Sequence, residues 1–269
     1  MFYSHYPILG SESRLPVYLV SLGMHDCQPY VKRGSEYNFS QLFYTTKGSG
    51  MLCYDNIKTE IRAGTGFYIP AFYPHEYYPL EDVWDNHWII PEGSGCGGML
   101  ADMGFSDKPQ VFSLSSTKLL DRLFGNMHEA LMSDKLHGNL RASGHLYSFL
   151  IELERCKNGA GSRSETNRAV IKCVDYIDNN YRHAITMEQL CEVSGVSKQY
   201  LCRLFRTALD ARPMEYIAKR RIQAAKELLT ETRMSIEEIV EQTGFCDSSY
   251  FCKLFRRYEG ITPTQFRKY

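Results

Sequence analysis

The hydrophobic pattern of this chain changes near residue 115, from short apolar runs to a helical spacing. Before that point, apolar runs at 41–46, 50–54 and 66–70 are separated by Gly, Asn or Pro. Runs of this length between turn residues are typical of antiparallel strands. The first part of the chain is therefore predicted to be a small antiparallel β-barrel or sandwich.

Two apolar stripes with helical spacing follow the predicted strands. The first stripe consists of Leu120, Leu123, Phe124, Met127 and Leu131. The second consists of Leu146, Phe149, Leu150 and Leu153. Because residues three and four apart share one helix face, each stripe needs an apolar surface to cover it. The pattern leaves two alternatives open: the helices cover the barrel, or they pair with a second subunit.

A polar segment rich in Gly and Ser, 158–167, separates these helices from a C-terminal part that is helical in pattern. Such a composition predicts a flexible linker. We therefore predict an α+β chain with two domains: a barrel domain (1–112) with a helical dimerisation or packing segment (113–157), then the linker and an all-α domain (168–269).

Charge and composition support a divided chain. Residues 1–166 carry 14 Lys and Arg against 18 Asp and Glu, whereas 167–269 carry 17 against 13. A positive excess confined to the C-terminal part favours a polyanionic partner there. The nine cysteines show no Cys-x-x-Cys spacing, and we see neither a signal peptide nor an apolar run long enough to cross a membrane. We expect a cytoplasmic protein with reduced thiols and no membrane partner.

The C-terminal part contains an internal repeat. The segment 194–206 (SGVSKQYLCRLFR) matches 243–256 (TGFCDSSYFCKLFR), mostly at an offset of fifty residues. In each copy a short amphipathic helix runs into a glycine, Gly195 or Gly244, which suits the left-handed end of a helix. A capping residue and a second amphipathic helix follow. Each copy is predicted to be a helix-turn-helix, whose second helix enters the DNA major groove.

The outward faces of the two second helices carry side chains that read base edges or hold phosphates. In the first copy these are Lys198, Gln199, Cys202, Arg203 and Arg206. In the second copy they are Ser248, Ser249, Cys252, Lys253, Arg256 and Arg257. One such face also fits an ordinary solvated helix, whereas two related faces in one chain favour double-stranded DNA as the partner. A continuous helix over 213–229 would set the two recognition helices about one DNA turn, ~34 Å, apart.

Further positions in the spacer and the second copy form a recognisable series. They are Arg221, Ile222, Ala225, Leu228 and Leu229, the segment 235–239 (SIEEI), Thr243-Gly244-Phe245, Asp247, Ser249-Tyr250-Phe251, Phe255, Gly260, Thr262-Pro263 and Phe266-Arg267. In this order they resemble the arabinose-regulator (AraC/XylS) family of bacterial transcription regulators. By position, the resemblance implies base contacts by the following residues: Gln199, Cys202, Arg203, Ser248, Ser249 and Lys253. Many members have longer polar side chains where Cys202 and Cys252 stand, so the operator sequence is not carried over.

The N-terminal part resembles the cupin-like sugar-sensing barrel of the same family. The matching turns are Lys47-Gly48-Ser49-Gly50, the segment 66–70 and Pro74-His75. The resemblance places ligand contacts at the following positions, to which we add His75: Arg33, Tyr77, Asn86 and Trp88. An aromatic face packs on the C–H side of a sugar while Arg, Asn and Tyr bond its hydroxyls, so a carbohydrate inducer is expected, with Trp84 as a plain core residue.

Two other functions remain as alternatives. A cupin metalloenzyme fused to a DNA-binding domain needs several His and a carboxylate converging on the barrel. The segment 41–46 has no His, and His75 and His87 stand alone. We therefore expect no catalytic residue, no metal and no cofactor. A redox-responsive regulator would use Cys202, Cys246 or Cys252, if Arg203 or Lys253 lowered the pKa of a thiol.

The sequence thus predicts a sequence-specific DNA-binding transcription regulator of the AraC type, controlled by a small molecule in its barrel. As partners we expect double-stranded DNA, a carbohydrate inducer, a second copy of the chain in a homodimer, and RNA polymerase. The sequence leaves open the inducer, the operator, and whether transcription is activated or repressed.

Overall fold

Strands fill most of the first part of the chain. The computed structural model describes residues 2–159 and 163–268, and the side chains from 158 to 167 lie outside that description. Within the first range, eight strands form one antiparallel sheet. They are β1 (Phe2–His5), β2 (Tyr18–His25), β3 (Val31–Arg33), β4 (Gln41–Tyr54), β5 (Ile57–Arg62), β6 (Thr65–Ile69), β7 (His75–Glu92) and β8 (Gln110–Ser113).

The long strands β4 and β7 form the centre of the sheet, whose order is β1-β2-β7-β4-β6-β8, with β3 also on β7 and β5 also on β4. The prediction of separate strands at 41–46 and 50–54 is wrong, since β4 spans both. Gly48 has a φ of +71° beside a shift in the register with β7. At Gly50, a Cβ would lie 2.3 Å from the Trp84 ring. These glycines bend the strand and admit the indole, so they do not end the strand.

Alternate residues of the strands enter two different hydrophobic clusters. On β4, Phe43 lies in one cluster, whereas Leu42 and Tyr44 lie in the other. On β7, Trp88 and Ile89 are divided in the same way, as expected from the two-residue repeat of a strand. The cluster around Phe43 and Trp88 also receives side chains from β2, β3, β5 and β6. The sheet therefore curls around this cluster, which confirms the predicted antiparallel barrel.

Helices cover the other face of the sheet. They are α1 (Cys96–Asp102), α2 (Lys118–Ser133) and α3 (Gly138–Gly159). Leu120, Phe124 and Met127 on α2 are buried in one cluster with Leu146 and Phe149 on α3 and with side chains of β2 and β4. The predicted stripes thus cover the chain's own barrel, the first of the two alternatives.

Helical structure extends into the predicted linker from both sides. Helix α3 ends at Gly159, inside the segment 158–167, and α4 (Arg163–Asn180) begins in the middle of that segment. The remaining linker positions, 160–162, lie outside the described residues. The chain divides into two compact units, Met1–Gly161 and Ser162–Tyr269, so the division falls inside the segment 158–167.

The second unit consists of helices. After α4 come α5 (Met187–Ser194), α6 (Lys198–Leu209), α7 (Pro213–Glu231), α8 (Ile236–Gln242), α9 (Ser248–Glu259) and α10 (Pro263–Phe266). The pairs α5–α6 and α8–α9 are the two predicted helix-turn-helix units, each with its own apolar cluster, and α7 contributes to both clusters. No helix within 2–159 or 163–268 is long and apolar enough to cross a membrane.

Candidate DNA interface and ligand cavity

The two recognition helices, α6 and α9, each bury one face and expose the other. Helix α6 buries Leu201, Leu204 and Phe205, and α9 buries the corresponding three side chains. Most of the predicted DNA-contacting residues are exposed: Lys198, Gln199, Arg203, Arg206, Ser249, Lys253, Arg256 and Arg257. The other three are half-buried: Cys202, Ser248 and Cys252. Each helix therefore brings its predicted set together on the side facing away from its core.

Two tyrosines next to these faces are not among the residues predicted from the sequence to contact DNA. The Arg203 guanidinium carbon lies 4.9 Å from the centroid of the Tyr200 ring, a cation–π distance. Tyr250, at the equivalent place on α9, is 56% exposed. The fifty-residue offset of the repeat pairs these two tyrosines, and this was the available signal. Both can extend the polar faces with an aromatic surface and a hydroxyl.

Arg221 on α7 connects the two helix-turn-helix units. Its Nε donates to the carbonyl oxygen of Tyr181 and its Nη2 to that of His183, both at 2.8 Å. These carbonyls lie in the loop before α5. Its guanidinium carbon also lies 5.7 Å from the centroid of the ring of Phe245, which lies in the turn between α8 and α9. Burial lowers the pKa of Arg221, yet an arginine remains charged in a protein, so all of these contacts are made by a cation.

Close backbone packing adds to this connection. Gly244, in the second turn, has a φ of +77°. A Cβ at Gly244 would lie 2.6 Å from the carbonyl oxygen of Arg182. Glycine is therefore required here both by the left-handed conformation and by the close approach of the loop that precedes α5. Arg221 and Gly244 therefore hold the turn that precedes α9 against the loop that precedes α5.

Cys252, on the second recognition helix, differs from what a redox site requires. Burial raises the pKa of the Cys252 thiol, and Glu237 raises it further. The redox alternative needs Lys253 to lower this pKa, whereas the pKa is raised because α9 packs the thiol against its own core. A raised pKa disfavours the thiolate, which is the reactive form.

A cavity of about 270 Å³ opens into the barrel of the first unit. Its lining residues are Tyr6, Val20, Ser21, Arg33, Tyr37, Phe39, Trp88 and Ile90. We call this the ligand cavity. It brings two of the predicted ligand residues together, Arg33 from β3 and Trp88 from β7. The Trp88 ring lies 5.9 Å from that of Tyr6, whereas Trp84 is wholly buried in the core.

Arg33 packs on a phenol ring in this cavity. Its guanidinium carbon lies 3.7 Å from the centroid of the Tyr37 ring, and its charge also acts on the buried Tyr77. Burial raises the pKa of Tyr77, and the charge of Arg33 opposes this increase. The Tyr77 phenol therefore stays neutral at pH 7. The Nε atom of Arg33 is buried and has no hydrogen-bond partner among the described residues.

The other three predicted ligand residues, His75, Tyr77 and Asn86, lie outside the cavity lining, and Tyr77 is buried in the core. His75 is buried, with Nδ1 2.7 Å from the carbonyl oxygen of Tyr73, and it lines a neighbouring groove. Asn86 is fully buried, and its Oδ1 accepts a hydrogen bond of 3.3 Å from the Thr45 hydroxyl. Neither His75 nor Asn86 therefore lines the ligand cavity.

The sequence reasoning missed the aromatic side chains Tyr6, Tyr37 and Phe39. Tyr37 and Phe39 alternate just before β4, a two-residue spacing that could have identified them. Tyr6 follows β1 and is 74% exposed. No local pattern marks it, because only the pairing of β1 with β2 brings it to Trp88.

Comparison with known proteins gives two family matches. The model described as "AraC-like ligand binding domain" matches residues 25–150, and the model described as "Helix-turn-helix domain" matches residues 190–269. These ranges contain the ligand cavity's Arg33 and Trp88 and both recognition helices.

Several curated relatives match over most of their length. The raffinose operon transcriptional regulatory protein RafR of Pediococcus pentosaceus is 27% identical over 91% of this chain and 91% of its own. The Msm operon regulatory protein of Streptococcus mutans is 26% identical, over 84% and 83%. The lactose operon transcription activator of Staphylococcus xylosus is 24% identical, over 85% and 83%. All three names describe regulators of operons.

Proposed function

Because the chain belongs to the AraC family of DNA-binding transcription regulators, we propose that a sugar or sugar derivative binds in its ligand cavity and controls its binding to DNA. The ligand favours one arrangement of the protein over another, in proportion to its difference in affinity for the two. The relatives named for the raffinose and lactose operons support a sugar as the controlling molecule.

The lining of the ligand cavity carries this proposal. Trp88, Tyr37 and Tyr6 offer ring faces to the C–H side of a sugar, and the guanidinium of Arg33, which lines the same cavity, offers donors to a hydroxyl. Small-molecule sites typically combine apolar walls with a few placed polar groups. The Tyr37 ring, 3.7 Å from the guanidinium carbon of Arg33, holds that guanidinium in place.

The exposed faces of α6 and α9 are proposed as the DNA-contacting surfaces. Arg203 and Lys253, near the middle of each helix, are assigned to base edges. Arg206, Arg256 and Arg257, nearer the C-terminal ends, are assigned to phosphates. This division follows the docking of a helix-turn-helix, in which residues toward the N-terminus of the recognition helix meet the bases.

A homodimer is proposed through the outer face of α3. Leu140, Tyr147 and Ile151 are spaced seven and four residues apart and are 39%, 46% and 60% exposed. This spacing places them on one side of the helix, and a two-fold dimer would bury the same stripe from both subunits. We further propose RNA polymerase as a partner and a cytoplasmic location. We also propose a regulatory role without catalysis, because the names of these three relatives describe regulators.

A thermal-shift screen of the purified chain against sugars and sugar acids tests the ligand proposal. A sugar at a hundred times its dissociation constant stabilises the unit that binds it by ~2.7 kcal/mol. We expect at least one such sugar, and we expect Trp88→Ala to abolish its effect. Trp84→Phe, a change in the core next to the cavity, serves as the control for general destabilisation. No stabilisation by any sugar, or an undiminished effect in Trp88→Ala, would exclude the cavity as the sugar site.

A further inference from the structure

A second cavity lies on the helix-covered face of the sheet. It measures about 490 Å³ and is bounded by the end of β7, by α1 and by the loop 103–109 that follows α1. This volume lies within the range of ~300–1,000 Å³ that is typical of small-molecule sites. None of the described residues lines both this cavity and the ligand cavity. Its wall contains Tyr68 and Cys96 of the cluster beneath the helices, whereas Trp88 belongs to the cluster inside the barrel. The two cavities are therefore separate sites, and we call this one the α1 cavity.

The charged side chains of the α1 cavity are acidic. Glu92 and Asp107 line it, and no lysine, arginine or histidine is among the described residues of its wall. Glu92 is half-buried; burial raises its pKa, and the backbone of Gly93 opposes this increase only in part. The first turn of α1 adds at most a partial positive charge, which is smaller than the two full negative charges. The electrostatics of the cavity therefore favour a cation.

Aromatic and apolar side chains form much of the remaining wall. The ring centroids of Tyr68 and Phe105 lie 4.7 Å apart, and Leu100 lines the same cavity. Aromatic faces attract ammonium groups, and the Phe105 ring already contacts the Nζ of Lys157 at 3.9 Å. Because Lys157 occupies that ring from outside the wall, Glu92 is the group that would hold the ammonium of a ligand. The rings and Leu100 would contact an apolar body.

Two residues of α1 leave this wall incompletely filled. Cys96 is 6% exposed, and its thiol forms no hydrogen bond with the described residues. Burial, and then the charge of Glu92, raise the pKa of this thiol to about 12, so it stays neutral at pH 7. Gly97 also lines the cavity, and a Cβ there would have no atom within 4 Å. Glycine costs a helix ~0.5–1 kcal/mol relative to alanine, and it permits a close approach of the helix backbone to a ligand. Neither a positive φ nor a close neighbour requires it at this position.

We propose that the α1 cavity binds an organic ammonium compound with an apolar body. The ammonium group pairs with the Glu92 carboxylate, the body lies against Tyr68 and Leu100, and the ligand approaches the backbone of α1 at Gly97. Such a ligand supplies a half-buried carboxylate with the counter-ion that the cavity wall lacks. The site is independent of the proposed sugar function, and its occupancy stabilises the first unit.

Calorimetric and thermal-shift titrations of the full chain test the proposal with three probes of similar shape. They are 2-phenylethylamine, the neutral 2-phenylethanol and the anionic 3-phenylpropionate. We expect the amine to bind about tenfold or more tightly than the alcohol, the effect of one hydrogen bond between charged groups, and the anion to bind most weakly. Glu92→Gln should remove most of this preference for the amine. Glu129→Gln removes the same charge from an exposed position of α2 outside the wall, and should leave the preference unchanged.

Filling the cavity from α1 provides a second test. Gly97→Leu places a side chain in open space, so it should abolish binding of the amine without destabilising the free protein. Gly98→Leu is the matched control, because Gly98 also has no atom within 4 Å of its Cβ position but lies outside the wall. Binding of the amine should persist in this control.

Three results would overturn the proposal. The first is an amine that does not bind, or that binds no more tightly than the alcohol. The second is binding that is undiminished in both Glu92→Gln and Gly97→Leu, since the amine would then occupy another site. The third is loss of amine binding in Trp88→Ala, which would place the amine in the ligand cavity. Amine binding that persists in Trp88→Ala and is lost in Gly97→Leu would support the α1 cavity as a separate site.

Discussion

Replacing Arg221 with Met should uncouple the two helix-turn-helix units without unfolding either. Met retains much of the apolar stem, but it cannot donate to the carbonyl oxygens of Tyr181 and His183. A hydrogen bond from a charged donor contributes ~1.5–3 kcal/mol when buried. Arg221 is half-buried, and water can reach the released carbonyls, so the lower end applies. We expect the free energy of unfolding of the second unit to fall by about 2 kcal/mol.

DNA binding should show the uncoupling more specifically. The assay is fluorescence anisotropy with a duplex that the unchanged protein selects from a random library, and with the same duplex scrambled in one half. Without the Arg221 contacts, α9 must be ordered when the protein binds DNA, and this ordering costs binding free energy. The affinity for the intact duplex should therefore fall by about tenfold. The affinity for the half-scrambled duplex should be nearly unchanged, because only one unit contacts it specifically.

Arg220→Met provides the matched control. It removes a cation from the same helix and breaks an ion pair of 2.8 Å with Asp178, but it leaves the Arg221 contacts in place. An Arg221→Met protein that binds the intact duplex like the unchanged protein would refute the coupling role. Equal losses on both duplexes would also refute it, since they would indicate an effect of charge or stability alone.

Three further predictions concern other parts of the chain. Arg203→Ala should cost ~1–3 kcal/mol of binding and relax specificity at one base pair, whereas Arg206→Ala should weaken all sequences alike and reduce the salt slope; competition and salt titrations distinguish the two. Burial, and then the charge of His128, lower the pKa of His5. On acidification the unfolded chain therefore binds a proton at this histidine before the folded chain does, and the folded state loses stability as pH falls below about 6.5. His5→Phe should reduce this pH dependence in thermal melts of the first unit, and an unchanged profile would contradict it. Ile151→Lys should convert a dimer into a monomer in sedimentation experiments, and a dimer that survives would exclude this face of α3.

The C-terminal repeat was readable from the sequence because its signals are local. Ser197 and Asp247 cap α6 and α9 by accepting hydrogen bonds from the backbone N–H groups three residues later. Gly195 and Gly244 adopt the expected left-handed conformation. Such signals act within a few residues of one another, so no tertiary information was needed. The same holds for the apolar stripes of α2 and α3, although not for the surface that they cover.

The ligand cavity and the connection between the two DNA-contacting helices were decided by tertiary structure. Tyr6, Arg33, Tyr37 and Trp88 are far apart in the chain, and only strand pairing and curling of the sheet bring them to one cavity. Shifting a strand by one residue would turn its side chains to the other face, and no local pattern fixes that register. Arg221 is part of the family pattern in the sequence, but its role depends on carbonyls about forty residues away along the chain. The sequence by itself determined the helices and the kind of surface they present, whereas long-range packing determined which side chains meet.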